Sequence, residues 1–339
     1  MIECGSTTLW KMCWVRSGKP EMAITSDAGA RSRNAKFSLA IFEKRWIMRA
    51  MDATAQRNFY SHSGKAPAGG LVLAIAIGAV VASLLALVYA YFDAVMPFVY
   101  FNIVAAGGLG MVSGVITGKL LVRGRVRNNR VAALAGLAVG VVALYVAWAA
   151  WPHALFDRFQ WDIRFAHLLT SPSSLWSTIV AINQQGAWRI SNSTPKGLFL
   201  WVAWSAEALF IIGMAMMCAR GSVASEPFCE SCQNWCAFEK RVLETHGWDP
   251  EEMKKHLESR DFAYLASLGP RTRNDVTFFR INLHRCRGCG KTATLTAEFI
   301  DLVEEKGNLV QKAETVVEGL LVTGDDLERL RTIAAQSPP

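Results

Sequence analysis

The sequence lacks the short motifs that mark several common classes of enzyme. It contains no Gly-x-x-x-x-Gly-Lys phosphate loop, no Gly-x-Ser-x-Gly nucleophile elbow and no His-Glu-x-x-His zinc motif. Histidine, the most frequent general acid or base, is also scarce, with six residues scattered along the chain. We therefore expect that the protein is not an enzyme.

The C-terminal part of the chain lacks a cluster of basic residues. The net charge is +8, but the excess of Lys and Arg lies mainly in residues 1–70 and 123–130, and the chain after residue 219 is slightly acidic. Nucleic-acid binding requires clustered Lys and Arg against phosphates. We therefore expect no nucleic-acid partner.

Hydrophobic residues, in contrast, are abundant. They make up 52% of the chain, and the mean hydropathy is +0.21. The excess lies in four runs, each close to the roughly 20 residues that cross a bilayer as a helix. These runs cover about 71–92, 98–122, 131–151 and 198–219. The first run is too long and too deep in the chain for a removed signal peptide. The predicted fold is a membrane α-helical bundle of four transmembrane helices, with the lipid bilayer as its surroundings.

Basic residues predict the orientation of this bundle. Arg123, Arg125, Arg127 and Arg130 occupy the segment between the second and third runs, and short loops rich in Lys and Arg stay in the cytoplasm. Both termini are then cytoplasmic, and residues 152–197 form an extracytoplasmic loop. Tryptophans concentrate at the opposite, outer boundary, as expected for amphipathic indoles. They are Trp148, Trp151, Trp161, Trp176, Trp188, Trp201 and Trp204. The predicted location is a bacterial inner (plasma) membrane.

The extracytoplasmic loop has the pattern of helices lying on the membrane surface. Apolar residues between 155 and 166 fall on one side of a helix. A second helix is predicted to begin near Ser173 or Ser174 and to end at Gln184-Gln185-Gly186.

Residues 1–66 show no sustained hydrophobic period and are basic, so we predict a disordered N-terminal tail. An alternative interpretation is that translation starts near residues 48–51, at Met48 or Met51, which leaves a short basic tail before the first run.

Small residues recur at every fourth position in the first three runs. Such stripes allow helices to approach closely in lipid, and they predict a tight bundle or a homo-oligomer. The alternative is that the glycines line a pore. The stripes are Ala74, Gly78, Ala82, Ala86 and Ala90; Ala106, Gly110, Gly114 and Gly118; and Ala132, Gly136 and Gly140.

Glu207 lies near the middle of the fourth run. An ionisable group at this depth costs a few kcal/mol unless it is paired, protonated or faces a polar cavity. Asn102, Lys119 and Ser83 are the candidate partners in the other runs. Two interpretations stay open: a hydrogen bond that holds the helices in register, or an ion or proton pathway.

Residues 226–339 are predicted to form a small cytosolic α+β domain. Helices are predicted at 237–247, 250–267 and 325–335, and antiparallel strands at 276–285, 292–304 and 309–321.

Two C-x-x-C pairs, Cys229/Cys232 and Cys286/Cys289, lie in this domain. Two such pairs complete the tetrahedral sulfur shell that structural Zn²⁺ prefers, and the reducing cytosol disfavours disulfides. Cys236 is a candidate substitute ligand, and His284 is a further spare donor. The segment Cys286-Arg287-Gly288-Cys289-Gly290-Lys291 resembles the knuckle of zinc-ribbon modules. The first pair lacks the knuckle glycine and lies far from the second, which predicts an elaborated ribbon.

Together these features lead to one leading functional hypothesis and two alternatives. The leading one is a membrane protein whose zinc-stabilised cytosolic domain binds a cytosolic protein or regulates the bundle. One alternative is a small channel or transporter that uses Glu207 and the glycine faces. The other is a thiol redox sensor, which requires metal-free, reactive cysteines.

Overall fold

The computed structural model describes residues 58–96, 99–157, 164–186, 194–305 and 307–336. The predictions for residues 1–57, including the alternative start, lie outside these ranges, as do Trp161 and Trp188.

The described chain contains a helical part followed by a part with two small antiparallel sheets. The helices are α1 (Ala68–Val95), α2 (Val99–Arg123), α3 (Asn129–Asp157), α4 (Phe165–Thr170), α5 (Pro172–Gln185), α6 (Leu198–Ala224), α7 (Pro250–Glu258), α8 (Ala263–Leu268) and α9 (Gly324–Gln336). The strands are β1 (Phe228–Cys229), β2 (Asn234–Trp235), β3 (Ala237–His246), β4 (Thr277–Arg285), β5 (Ala293–Glu305) and β6 (Asn308–Leu321).

Helices α1, α2, α3 and α6 are long and apolar enough to cross a membrane, with mean hydropathies between 1.5 and 2.9 in their most apolar windows. They coincide with the four predicted runs and extend them by a few residues at most ends. Helices α2 and α6 run in the same direction, because Gly110, Gly114 and Gly118 face Ile211, Ala215 and Ser222 in turn.

The glycines of α2 and α3 lie where neighbouring backbones meet. A Cβ atom on Gly114 or on Gly136 would lie 2.5 Å from the carbonyl oxygen of Ala215. No side chain fits there, so only glycine permits this separation of the helices. The packing interpretation of the small-residue stripes is therefore confirmed at these positions.

The segment between α3 and α6 packs onto the bundle. Helix α5 begins after Ser171 and ends before Gly186, close to the predicted limits. Its buried Leu175, Ile179 and Ile182 contact Leu200 and Trp204 of α6. The predicted helix at 155–166 is different: α3 continues to Asp157, α4 begins at Phe165, and residues 158–163 lie outside the described ranges.

The larger sheet has the order β3-β4-β5-β6, and all its neighbours are antiparallel. Helices α7, α8 and α9 contribute Met253, Leu257, Leu265 and Leu330 to the core on one of its faces, and each of these side chains is buried. The three predicted strands and the final helix are confirmed within two residues at each end.

The predicted helix at 237–247 is wrong, because this segment forms the edge strand β3. Its residues favour a helix locally, but pairing with β4 overrides this preference. Arg241, at φ 56°, forms a bulge, and its backbone N–H donates to Asn282 Oδ1 at 2.9 Å. The predicted helix at 250–267 is divided into α7 and α8 by Arg260, at φ 60°.

Residues 58–60, which the sequence analysis placed in the disordered tail, pair with β6. Phe59 lies opposite Leu320, and the Tyr60 N–H donates to the Gly319 carbonyl at 2.8 Å. The chain therefore contacts the sheet immediately before it enters α1, which connects the two parts of the fold.

Candidate metal centre and its contact with the helices

Each C-x-x-C pair lies in a tight turn between two strands, which are short for the first pair and long for the second. The first turn joins β1 to β2, with Cys229 opposite Asn234 and Gln233 at φ 52°. The second joins β4 to β5, where the Gly290 N–H donates to the Cys286 carbonyl at 3.0 Å. Gly290 has φ 65°, a conformation that glycine adopts without steric cost.

The two turns bring all four predicted sulfur ligands together. The Sγ atoms of Cys229, Cys232, Cys286 and Cys289 lie within 4.8 Å of one another. The Sγ atoms of Cys229 and Cys289 are 3.5 Å apart, far beyond the roughly 2.05 Å of a disulfide. Four thiolates at about 2.3 Å from Zn²⁺ lie about 3.8 Å apart at the corners of a tetrahedron. The cluster is therefore consistent with a metal-binding module.

The local backbone also favours sulfur ligation. A Cβ atom on Gly288 would lie 3.1 Å from the Cys232 Sγ, so glycine leaves room for this thiol. The Lys291 N–H donates to the Cys289 Sγ at 3.4 Å, as amides do around ligand thiolates.

Cys236 and His284 are not members of the four-sulfur group. The Cys236 thiol is buried beside the cluster and donates to the Thr292 carbonyl at 3.8 Å. The His284 ring packs on Phe238 with the ring centres 4.8 Å apart, and burial lowers its pKa. The substitute-ligand role of Cys236 stays a prediction.

Cys229 and Cys232 differ in the pKa of their thiols. Burial opposes ionisation of Cys229, but hydrogen bonds from Thr292 and from neighbouring groups lower its pKa to about 6. Hydrogen bonds with Cys289 and Cys286 raise the pKa of Cys232 to about 12. Hydrogen bonds among the thiols produce this difference in pKa, and a bound cation removes it by neutralising the thiolates.

The first turn is also the point at which the sheets contact the helices. Glu230, between Cys229 and Cys232, accepts two hydrogen bonds of 2.8 Å from Nη1 of Arg127, in the α2–α3 loop. The Arg127 side chain is only 5% exposed, and its guanidinium lies 4.3 Å from the centre of the Phe228 ring. A hydrogen bond from Ser63 and the charge of Arg127 hold the pKa of Glu230 below its usual value.

Aromatic residues complete this contact. The Trp235 indole N–H donates to the Val122 carbonyl at the end of α2, at 2.7 Å. Trp235 also packs edge-on against Phe228, with ring centres 4.9 Å apart. The Tyr60 hydroxyl accepts from the Phe228 N–H at 2.8 Å.

Sequence reasoning missed this contact. Arg127 was interpreted with its neighbours as a topology signal, yet Arg123, Arg125 and Arg130 are exposed and Arg127 alone of the four is buried. The available signal was Glu230, an acidic residue inside the first C-x-x-C pair. A single charge beside predicted metal ligands indicates that a specific basic residue lies opposite it.

Glu207 has a partner that the sequence analysis did not name. The Tyr89 hydroxyl of α1 donates to Glu207 Oε1 at 2.6 Å. Of the predicted partners, Asn102 lines the same cavity as Glu207. Ser83 instead donates to the Ala79 carbonyl at 2.8 Å, and Lys119 is exposed near the other end of α2.

Comparison of the chain with protein-family models, with curated proteins and with solved structures finds no match.

Proposed function

We propose that the protein is an integral membrane protein with four spans and both termini in the cytoplasm, at a bacterial inner membrane. Its C-terminal part is an elaborated zinc ribbon in which Cys229, Cys232, Cys286 and Cys289 hold structural Zn²⁺. The domain acts by binding a cytosolic protein or by regulating the bundle, and not by catalysis.

The ion pair between Glu230 and Arg127 supports this proposal most directly. Glu230 belongs to the first cysteine turn, between Cys229 and Cys232, and Arg127 belongs to the loop that connects two candidate spans. A metal bound by the cysteines orders the first turn, and the first turn holds the α2–α3 loop through Glu230. Metal binding is therefore coupled to the geometry of the bundle.

The donor set supports Zn²⁺ in particular. Four thiolates form the closed shell of structural zinc sites, which leaves no position for a reacting water. Within the described residues, no His, Asp or Glu joins the four sulfurs. When bound, the ion cross-links the two cysteine turns.

The hairpin of β5 and β6 supports a protein partner. Residues 308–315 are exposed, including Leu309 at 71% and Val310. In the described chain, β6 pairs with β5 along one edge, and residues 58–60 cover only the far end of its other edge. A free strand edge with apolar side chains accepts an extended segment of a partner.

Metal analysis of the purified full-length chain tests the zinc assignment. We expect about one Zn²⁺ per chain by mass spectrometry, and loss of that ion in Cys286→Ser. Cys218→Ser, in α6 and outside the cluster, is the matched control and keeps the ion. Full zinc content in Cys286→Ser contradicts the assignment, and metal-free protein with rapidly oxidised thiols supports the redox sensor.

Photo-crosslinking in native membranes tests the partner. A crosslinking residue at Leu309 should give a defined adduct with a cytosolic protein, and Cys286→Ser should abolish it. Trp248, equally exposed at 71% but distant from the hairpin in sequence, is the control position. Absence of any adduct from the hairpin, or the same adducts from both positions, contradicts the proposal.

A channel or transporter is the second candidate, because Glu207 faces a cavity that also contains Asn102. The glycines at 110, 114, 118 and 136 are used for close packing, so this candidate depends on the cavity alone. Ion flux in liposomes that is lost in Glu207→Gln would support it over the first proposal.

A further inference from the structure

A cavity of about 710 Å³ lies between α1, α2, α3 and α6. Its walls are formed by the last turns of α1 and α3 and by the first turns of α2 and α6. The sheets contact the opposite ends of these helices, at residues 122–127 and 228–235. The cavity is therefore remote from the metal centre.

Two acidic side chains face this cavity. Glu207 lines it together with Asp93, which interacts electrostatically with Glu207. Asp93 lies just beyond the first predicted run, 71–92, but α1 continues to Val95 and includes it. Among the described lining residues there is no Lys, Arg or His.

A further acceptor belongs to Asn102, which also lines the cavity. Asn102 Oδ1 is buried and has no hydrogen-bond partner among the described residues. The Tyr89 hydroxyl donates to Glu207 Oε1, which keeps that oxygen an acceptor. An unpaired buried acceptor costs about 1–3 kcal/mol, so a ligand that donates a hydrogen bond here is favoured.

Three tryptophans form one wall. The rings of Trp148, Trp151 and Trp204 meet edge to face, with centre separations of 5.8, 5.1 and 6.3 Å. All three line the cavity. Aromatic faces attract organic cations, and indole does so most strongly.

We propose that this cavity binds a protonated amine with a hydrophobic body. The carboxylates of Asp93 and Glu207 neutralise the ammonium group, Asn102 accepts one of its hydrogen bonds, and the tryptophans enclose the apolar part. The volume falls in the range of pockets for drug-sized molecules and exceeds that of a bare metal ion. A phosphate would find no cation among the described lining residues, so the ammonium group is the part of a ligand that the cavity recognises.

Binding of matched probes to the full chain in nanodiscs tests this site. The probes are 3,3-diphenylpropylamine, which is protonated at pH 7, its uncharged analogue 3,3-diphenylpropanol, and the anion 3,3-diphenylpropionate. After subtraction of empty discs, we expect the amine to bind at least about tenfold more tightly than the alcohol, and the anion not to bind. Equal binding of amine and alcohol, or no binding above empty discs, overturns the proposal.

Variants assign the binding to this cavity. Glu207→Gln should reduce amine affinity to about that of the alcohol, and Asp93→Asn provides a second test if Glu207→Gln does not fold. Trp204→Leu should weaken binding by about 3- to 30-fold through loss of cation–π attraction. The control Trp176→Leu should leave it unchanged, because Trp176 is exposed and stacks on Trp201 outside the cavity lining. Unchanged affinity in both acid variants overturns the assignment.

Lipid composition separates two sources of the ammonium group. A site for free amines binds the probe equally in discs of phosphatidylglycerol and of phosphatidylethanolamine. If a lipid ammonium group is the natural ligand, phosphatidylethanolamine competes and the probe binds only in phosphatidylglycerol. The ammonium chemistry holds in both cases, and absence of probe binding in both lipids contradicts it.

Discussion

At the residue scale, Glu230 connects the candidate metal centre to the helices. It lies between two ligand cysteines in the sequence and against a buried guanidinium in space. The Glu230 side chain is 40% exposed, so solvent screens the pair, but removal of Glu230 leaves the buried Arg127 guanidinium without its counter-charge.

Glu230→Gln should therefore destabilise the contact between sheets and helices by about 1–2 kcal/mol, while any metal held by the cysteines stays bound. Amide hydrogen exchange at residues 122–128 measures the contact, and mass spectrometry measures the metal. Lys65→Met is the control, because Lys65 is 64% exposed, lies 3.5 Å from Glu230 and should contribute less than about 0.5 kcal/mol. Equal protection in both variants would contradict this role.

Glu244 provides a second test at this scale. It accepts hydrogen bonds of 2.8 Å from Arg271 and from Arg280, whose side chain is 7% exposed. Burial raises the pKa of Glu244, but the two arginines outweigh it and the net shift is downward. A lowered pKa means that the carboxylate stabilises the fold above its unfolded pKa of about 4.3, and that this contribution is lost as the pH falls through the folded value.

Glu244→Gln should accordingly cost about 2 kcal/mol at pH 7, and the cost should decrease below about pH 4. Hydrogen exchange of β4 amides in both proteins at each pH measures it. The comparison is made between variant and wild type because acid also protonates the cysteines in both. A cost that does not change between pH 7 and pH 3.5 would be incompatible with ion pairing.

At the element scale, the sequence predicted those helices and strands whose residues carry a clear local pattern. The four long apolar helices follow from run length, the glycine stripes from their spacing, and β4 to β6 from alternation. Strand β3 was missed because Ala237–His246 favours a helix locally and becomes a strand only through β4. Residues 58–60 were missed for the same reason.

The two candidate sites were also predictable only where a local pattern marks their residues. The C-x-x-C spacing identified four sulfurs that the fold brings together. Tyr89 and Asp93 were not identified as neighbours of Glu207, since no local pattern connects α1 to α6. The spacing from Ala82 and Ala86 to Tyr89 and Asp93 was the usable signal, because all four lie along one side of a helix.

Two glycines of α2 test the packing argument. Gly110→Ala should destabilise the bundle by about 1–3 kcal/mol, because the new methyl group meets the Ile211 carbonyl backbone of α6. Gly108→Ala should be neutral or stabilising by up to about 1 kcal/mol, because no atom lies within 4 Å of its added Cβ. Unfolding of the purified chain in increasing SDS compares them, and equal midpoints would exclude backbone packing as the cause.

At the scale of the whole molecule, one connected contact joins the first cysteine turn, residues 228–235, to residues 58–66 and the α2–α3 loop. The Gly64 N–H donates to the Arg127 carbonyl at 3.1 Å, and the Arg127 N–H donates to the Lys65 carbonyl at 2.8 Å. Trp235 and Tyr60 attach the first turn to the same region. Loss of order in that turn should therefore extend to the helix ends.

Removal of the metal from the full chain by a chelator should increase amide exchange in three places: both cysteine turns, residues 58–66 and residues 122–128. Strands β1 and β2 of the first turn pair through only two residues each. Without the metal, the turn therefore loses the cross-link that orders Glu230 and Trp235 against the helices. The centres of α2 and α6 should be unchanged, because their packing depends on Gly110 and Gly114 and not on the sheets. Wild type with restored zinc is the control. Exchange that increases only at residues 286–291 would show that the metal stabilises its own turn and that the contact with the helices is independent of it.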